Sequence, residues 1–273
     1  MPFLETKDDT RLFYKDWGTG KPIIFICSWA VSSKMWEYQM YSLISEGHRC
    51  ISYDRRGHGL SDDPGRGFDY DTLADDLSSL IEYFDLREIT LVAHSMGCGE
   101  IVRFLTRHGS DRIDQVVFLA GSLPFPLKTA DNPDGMDINL IETTRGEWKK
   151  DFPRWLAESE PSFFGAGLPN CSVSPQIGEW TRWDMLQTSL KAVLDCYSAI
   201  IETDFRDEMR EITVPALIIH GDSDQSMPIE ISGRKSAQLI PDNQFIVYEN
   251  CPHGLYITHA ERLKEDILSF IMK

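Results

Sequence analysis

Ile89–Thr90–Leu91–Val92–Ala93–His94–Ser95–Met96–Gly97–Cys98–Gly99 is an apolar, partly β-branched run that empties into a turn of small residues. Ile101 to Arg107 then reads as a helix. A strand running straight through a tight turn into a helix is the setting a nucleophilic serine needs. The turn projects the hydroxyl past the end of the strand, and the first N–H groups of the helix face the same space. Gly97 leaves room for close packing at the turn, and Ala93 stands where Gly-x-Ser-x-Gly would have its first glycine. One extra methyl strains such a turn without abolishing it. Ser-x-Gly by itself is more often an idle serine, so the flanking strand and helix carry the reading.

The same alternation extends outward. Leu12–Trp17, Pro22–Cys27, Cys50–Tyr53, Gln115–Leu119, Ala216–His220 and Phe245–Tyr248 read as strands, several of them apolar without interruption. Such runs mark strands buried on both faces. Leu73, Leu77, Leu80, Ile81 and Phe84 recur at helical spacing, with Asp71 or Thr72 as cap; Leu263, Ile267, Leu268 and Ile271 form a terminal amphipathic face. From about Pro124 to Glu211 the alternation stops, and helical pieces are expected at Glu147–Ser159 and Met185–Thr203. This predicts an α/β protein with a mostly parallel sheet. Residues 1–123 and 212–273 form its core, and residues 124–211 a helical cap insertion.

Of 273 residues, 27 are basic and 43 acidic, a formal net charge of −16, and no basic cluster offsets it. That charge disfavours nucleic acid and argues mildly for neutral substrates. A chain this long buries roughly three quarters of its unfolded surface, so it needs no disulfides. Its six cysteines form no Cys-x-x-Cys, and reduced thiols are expected, Cys27 as a small buried hydrophobe. No segment offers about 20 consecutive apolar residues, so no membrane span is expected. The opening MPFLETKDDTRLFY lacks a signal-peptide pattern, and a cytoplasmic protein is expected.

A serine hydroxyl needs a base, and the base needs a carboxylate. Of seven histidines, His94 adjoins Ser95 and is expected to point elsewhere, and His220 closes a strand. His48, His108 and His259 sit in polar contexts. His253, in Asn250–Cys251–Pro252–His253–Gly254, follows a strand, where open α/β sheets gather ligands. His220–Gly221–Asp222–Ser223–Asp224 follows another; Asp222 is suited to cap that turn, and Asp224 to reach the next loop. The order Ser95, Asp224, His253 is that of α/β-hydrolases, distinct from the orders of other serine-hydrolase folds. Asp54–Arg55–Arg56–Gly57–His58–Gly59 reads as a structural turn with locally paired charges.

The chain resembles, nearly end to end, the bacterial arylesterase and cofactor-free haloperoxidase (perhydrolase) branch of the α/β-hydrolases. The likeness rests on Phe13–Gly18, Met35–Met40, Tyr53–Ser61, Asp69–Thr72, His94–Gly97, Ser189–Ala192, Glu202–Arg206, His220–Asp222 and Pro252–Gly254. The resemblance implies a mostly parallel eight-stranded sheet with a helical cap, a Ser95–Asp224–His253 triad, and no metal or organic cofactor. It implies an oxyanion hole of the Trp29 and Met96 N–H groups. Hydrolysis of small carboxylic esters is expected, with perhydrolysis, or lactone or amide hydrolysis, at the same triad as alternatives. A retired hydrolase that only binds ligand is the reading from another class. A substrate pocket from Trp29, Phe125, Trp155 and Ile229 is expected, though Trp29 would serve equally as core; association into a homo-oligomer stays open. The sequence departs from the branch at Cys27–Ser28–Trp29–Ala30, where its members carry His-Gly-Trp, often followed by Pro. Ala30 lacks the fixed φ of Pro, which favours plain hydrolysis over peracid formation.

Overall fold

The computed structural model describes residues 2–272. Eight strands form one sheet: β1 (Phe3–Glu5), β2 (Arg11–Trp17), β3 (Pro22–Ile26), β4 (Arg49–Tyr53), β5 (Ile89–His94), β6 (Ile113–Leu119), β7 (Ala216–Gly221) and β8 (Asn243–Tyr248). Their order is β1-β2-β4-β3-β5-β6-β7-β8. β1 and β2 are antiparallel additions at one edge, and the pairs from β4 to β8 are parallel. The sequence reading omits β1, whose three residues are too few for a period-two pattern to register.

The helices are α1 (Glu37–Ile44), α2 (Tyr70–Tyr83), α3 (Gly97–His108), α4 (Ile138–Phe163), α5 (Pro175–Met185), α6 (Leu190–Glu202), α7 (Arg206–Arg210), α8 (Gly233–Leu239), α9 (Leu255–Thr258) and α10 (Ala260–Ile271). The unbroken apolar strands β3, β5 and β7 are buried on both faces, as their composition requires, while Phe245, Ile246 and Val247 of the edge strand β8 are half-buried. In β3, Ile24 and Ile26 join Leu73 and Leu77 of α2 and Ile101 of α3. Ile23 and Phe25 face the other way, with Met40 and Leu43 of α1 and Leu263 and Ile267 of α10. Such apolar burial contributes about 25 cal/mol per Å². The cap of α2 is Asp69, whose carboxylate accepts the Thr72 N–H at 2.9 Å, and not Asp71 or Thr72.

Residues 124–211, expected as one insertion between β6 and β7, hold α4 to α7. The expected helical piece Glu147–Ser159 crosses a break at Asp151 (φ −160°, ψ 77°), where the Asp151 carboxylate accepts the Arg154 N–H. Pro153 has no N–H to continue the earlier turn. The piece Met185–Thr203 is likewise interrupted, and Ser189 restarts it as the cap of α6. α6 sends Cys196, Ile200 and Ile201 into the same core as the sheet, which anchors this end of the helical segment.

Candidate active site

β5 ends at His94, and Ser95 follows with φ +54°. This left-handed conformation is uncommon for a residue with a Cβ. It is held from both sides: the Ser95 N–H donates to the Leu119 carbonyl at 2.9 Å, and its carbonyl accepts from Cys98 and Ser122. Gly97 is required by close approach, because a Cβ there would lie 2.8 Å from the Cys27 carbonyl oxygen. Ala93 fits within β5 opposite Ile26 and Phe118, so its methyl is accommodated in the strand.

The turn after β7 brings Asp224 to His253. Asp224 Oδ2 lies 2.6 Å from His253 Nδ1, and both residues are buried. Oδ1 accepts the Ser226 and Met227 N–H groups at 2.9 and 2.8 Å, which locks the rotamer. Asp224 therefore organises the turn itself, the role expected of Asp222, which is exposed. Burial raises the Asp224 carboxyl, but the charge of a protonated His253 and bonds from His220 and His253 outweigh this. They hold it well below the usual carboxylate range. His220 Nε2 sits 2.9 Å from the Met227 carbonyl and 3.3 Å from Asp224 Oδ2. Ser95 and His253 open onto one cavity of about 320 Å³. There the Ser95 hydroxyl makes its hydrogen bond with Ser122, Oγ to Oγ 3.2 Å.

His94 points away from the cavity, its Nε2 2.9 Å from the His253 carbonyl. Burial, then repulsion from His253, lowers it to about 3; burial and Arg55 lower His58 to about 3. Both are neutral in the fold and protonate near 6.5 once unfolded. The unfolded chain thus binds more protons between these values, so stability falls as pH drops through that window. Each histidine contributes up to about 1.4 kcal/mol per pH unit. Below about pH 6 the buried carboxyls of Asp76, raised to about 6, and Glu100, also raised by burial, take up protons in the fold and offset part of this loss, until Asp224 adds to it below about pH 4. Urea midpoints should therefore decline first from about pH 7 to about pH 6. A flat profile over that range would contradict the buried neutral histidines.

Met96 directly follows Ser95 and Trp29 lines the same cavity, and neither backbone N–H has an acceptor among the described residues. The Cys27–Ala30 loop is braced from below. Arg55 donates to the Cys27 and Ser28 carbonyls at 2.8 and 3.0 Å and pairs with Glu100, whose other oxygen accepts from Tyr53. Here the expectation of local pairing is corrected: Arg55 pairs with Glu100 on α3, and Arg56 with Asp76 on α2 and with Asp8. Asp54 accepts the Ser33 and Leu60 N–H groups instead. Farther along the loop, the Asp184 carboxylate binds the Ser32 N–H and hydroxyl. Ala30 has φ +60°. Proline is fixed near −65°, so this loop conformation excludes proline at position 30. Cys27 is fully buried, and burial pushes its thiol well up.

The cavity walls combine core loops with α4 to α6. Trp29, half-buried, stands 4.6 Å from Trp148 and 6.2 Å from Trp155 (ring centroids), and its Nε1 donates to the Val193 carbonyl. It is packed and cavity-lining at once. Trp155 also lines the cavity, but Phe125 and Ile229 do not. Phe125 is buried under the Arg206 guanidinium, and Ile229 turns inward at the start of the 229–232 turn. Trp148, Phe163, Met185 and Tyr197 line the cavity unanticipated, since in a helical segment without strand neighbours their facing is set by tertiary packing. Ser122 was equally unmarked, a lone serine after a strand. Among the described residues no group of three His, Cys, Asp or Glu side chains could hold a metal ion, and no helix is long and apolar enough to cross a membrane.

A model of the alpha/beta hydrolase fold family matches residues 21–260. The chain is 37% identical to the non-heme chloroperoxidase CPO-A1 of Kitasatospora aureofaciens over all of both chains. It is 36% identical to the bifunctional esterase/perhydrolase DCH of Acinetobacter calcoaceticus, covering 99% of each. Among solved structures, it superposes on the bromoperoxidase from Bacillus anthracis with TM-score 0.94 and 38% identity over 100% of both.

Proposed function

Because the chain belongs to the alpha/beta hydrolase fold family, we propose that it cleaves small neutral carboxylic esters through an acyl-enzyme on Ser95. The observation that carries this is the 2.6 Å Asp224–His253 contact beside a serine held at positive φ on the same cavity. Ser95 passes its proton to His253 Nε2 and attacks the carbonyl carbon. Asp224 fixes the imidazole tautomer and stabilises the imidazolium. The oxyanion takes hydrogen bonds from the Trp29 and Met96 amides, which have no competing acceptor among the described residues. His253 then protonates the leaving alcohol. A water molecule, deprotonated by the same imidazole, releases the acid and restores Ser95. Three features support a neutral substrate: the aromatic cavity wall, the acidic net charge, and the pairing of the one arginine that lines the cavity among the described residues, Arg182, with Glu160.

Perhydrolysis is a second reading, favoured by relatives named as chloroperoxidase and as esterase/perhydrolase. Hydrogen peroxide would replace water in the second half-reaction. Against it stands the Ala30 loop, whose backbone a proline could not copy.

A fluorophosphonate probe is expected to leave one adduct on Ser95, absent in Ser95→Ala, as read by intact mass and peptide mapping. A folded wild-type protein that stays unlabelled would favour ligand binding without catalysis. Turnover of p-nitrophenyl acetate against peroxide-dependent bromination in acetate buffer separates hydrolysis from perhydrolysis. Bromination outrunning ester turnover would overturn the preference for water.

A further inference from the structure

Ser122, in the loop after β6, touches the nucleophile twice. Its Oγ lies 3.2 Å from Ser95 Oγ, and its N–H donates to the Ser95 carbonyl at 3.2 Å. The side chain is 4% exposed and faces the cavity, and its hydroxyl has no other partner among the described residues. A buried hydroxyl is costly to leave idle, and this one is aimed at the oxygen that reacts. Resting on the ester-hydrolase reading above, we propose that Ser122 is a further catalytic residue: its O–H donates to Ser95 Oγ and stabilises that oxygen as the acyl-enzyme breaks down.

The direction of the bond follows from proton count. Each hydroxyl carries one proton. A productive Ser95 directs its own to His253, so Ser122 is the donor and Ser95 Oγ the acceptor. The effect on the two half-reactions is then opposite. In acylation Oγ attacks, and a donor on its lone pair withdraws density from the nucleophile. In deacylation Oγ is the leaving atom. Water adds its oxygen to the acyl carbon and gives its proton to His253. The C–Oγ bond then breaks, its electron pair collects on Oγ, and the imidazolium returns the proton there. Ser122 donates to Oγ while that charge builds.

Losing one such bond is expected to slow deacylation about tenfold. Ser122→Ala, assayed with p-nitrophenyl acetate in stopped flow, should show a burst near one product per site and a deacylation rate about tenfold lower. The values of kcat and KM should fall together while kcat/KM, which reports acylation, holds or rises. A purely structural defect would not produce that split. Ser122→Thr, which keeps the hydroxyl, should restore deacylation, and Ser122→Cys, close in size with a weaker donor, should fall between. The proposal is overturned if Ser122→Ala lowers kcat/KM as much as kcat at constant KM, if deacylation is unchanged, or if Thr and Cys are equally impaired. Ser95→Ala distinguishes the two levels. If it still turns over ester, the hydrolase reading fails; if it is inactive while Ser122→Ala deacylates normally, only the role of Ser122 fails.

Discussion

Asp224→Asn is expected to lower kcat for ester hydrolysis by about 10⁴-fold while leaving the protein folded. The reason is that Asp224 is fastened at both oxygens. Oδ1 is committed to the Ser226 and Met227 N–H groups, so an asparagine must place its carbonyl oxygen there. Its NH₂ then takes the position of Oδ2, 2.6 Å from His253 Nδ1. A donor at that point forces Nδ1 to accept, which moves the imidazole proton to Nε2. A proton on Nε2 leaves the imidazole unable to receive one from Ser95. His220 sharpens the effect. Its Nε2 faces the Met227 carbonyl and so carries hydrogen, and that N–H would now meet an amide NH₂ where it met a carboxylate. Steady-state kinetics with p-nitrophenyl acetate, alongside thermal melting, checks the prediction. A loss of less than tenfold in a folded variant would remove Asp224 from the mechanism.

The legibility of this site in the sequence followed the reach of each interaction. The Ser95 turn was readable because its determinants are consecutive: strand, small residues, helix. The Asp224–His253 pair was readable from chain order, since each loop follows its own buried strand. Which aspartate reaches the histidine was a matter of two residues, and Asp224 both caps its turn and crosses to the next loop. The Asp54–Gly59 turn shows the limit. Six consecutive residues suggested local charge pairing, yet the partners of Arg55 and Arg56 lie on α3 and α2. A sequence window cannot show that two helices will deliver Glu100 and Asp76 beneath one turn. The cavity wall fails to read for the same reason. Trp148 and Phe163 sit on α4 on opposite sides of its break at Asp151, which a helical repeat does not carry across, and Phe125 is drawn off to Arg206.

Arg55→Ala is expected to cost about 3–5 kcal/mol of stability and to depress activity well beyond what the unfolded fraction explains. Arg55 and Glu100 are 1% and 0% exposed. Burial already raises the Glu100 carboxyl against the pull of Arg55. Among the described residues, removing the guanidinium leaves that carboxylate with only the Tyr53 hydroxyl. It also strips the donors from the Cys27 and Ser28 carbonyls, the two residues that precede Trp29. Misplacing one oxyanion donor typically costs about 10²–10³ in kcat, so the loop should register its loss of support in kcat rather than in substrate affinity. Stability and support separate in a double variant. Arg55→Met with Glu100→Leu removes both charges and fills the space, which is often neutral for stability, yet restores no donor to the loop carbonyls. Urea midpoints should therefore recover in the double variant while kcat stays low. Recovery of both would reduce the pair to a stability element. An Arg55→Ala protein within about 1 kcal/mol of wild type would show that the loop holds its shape without the bracing described.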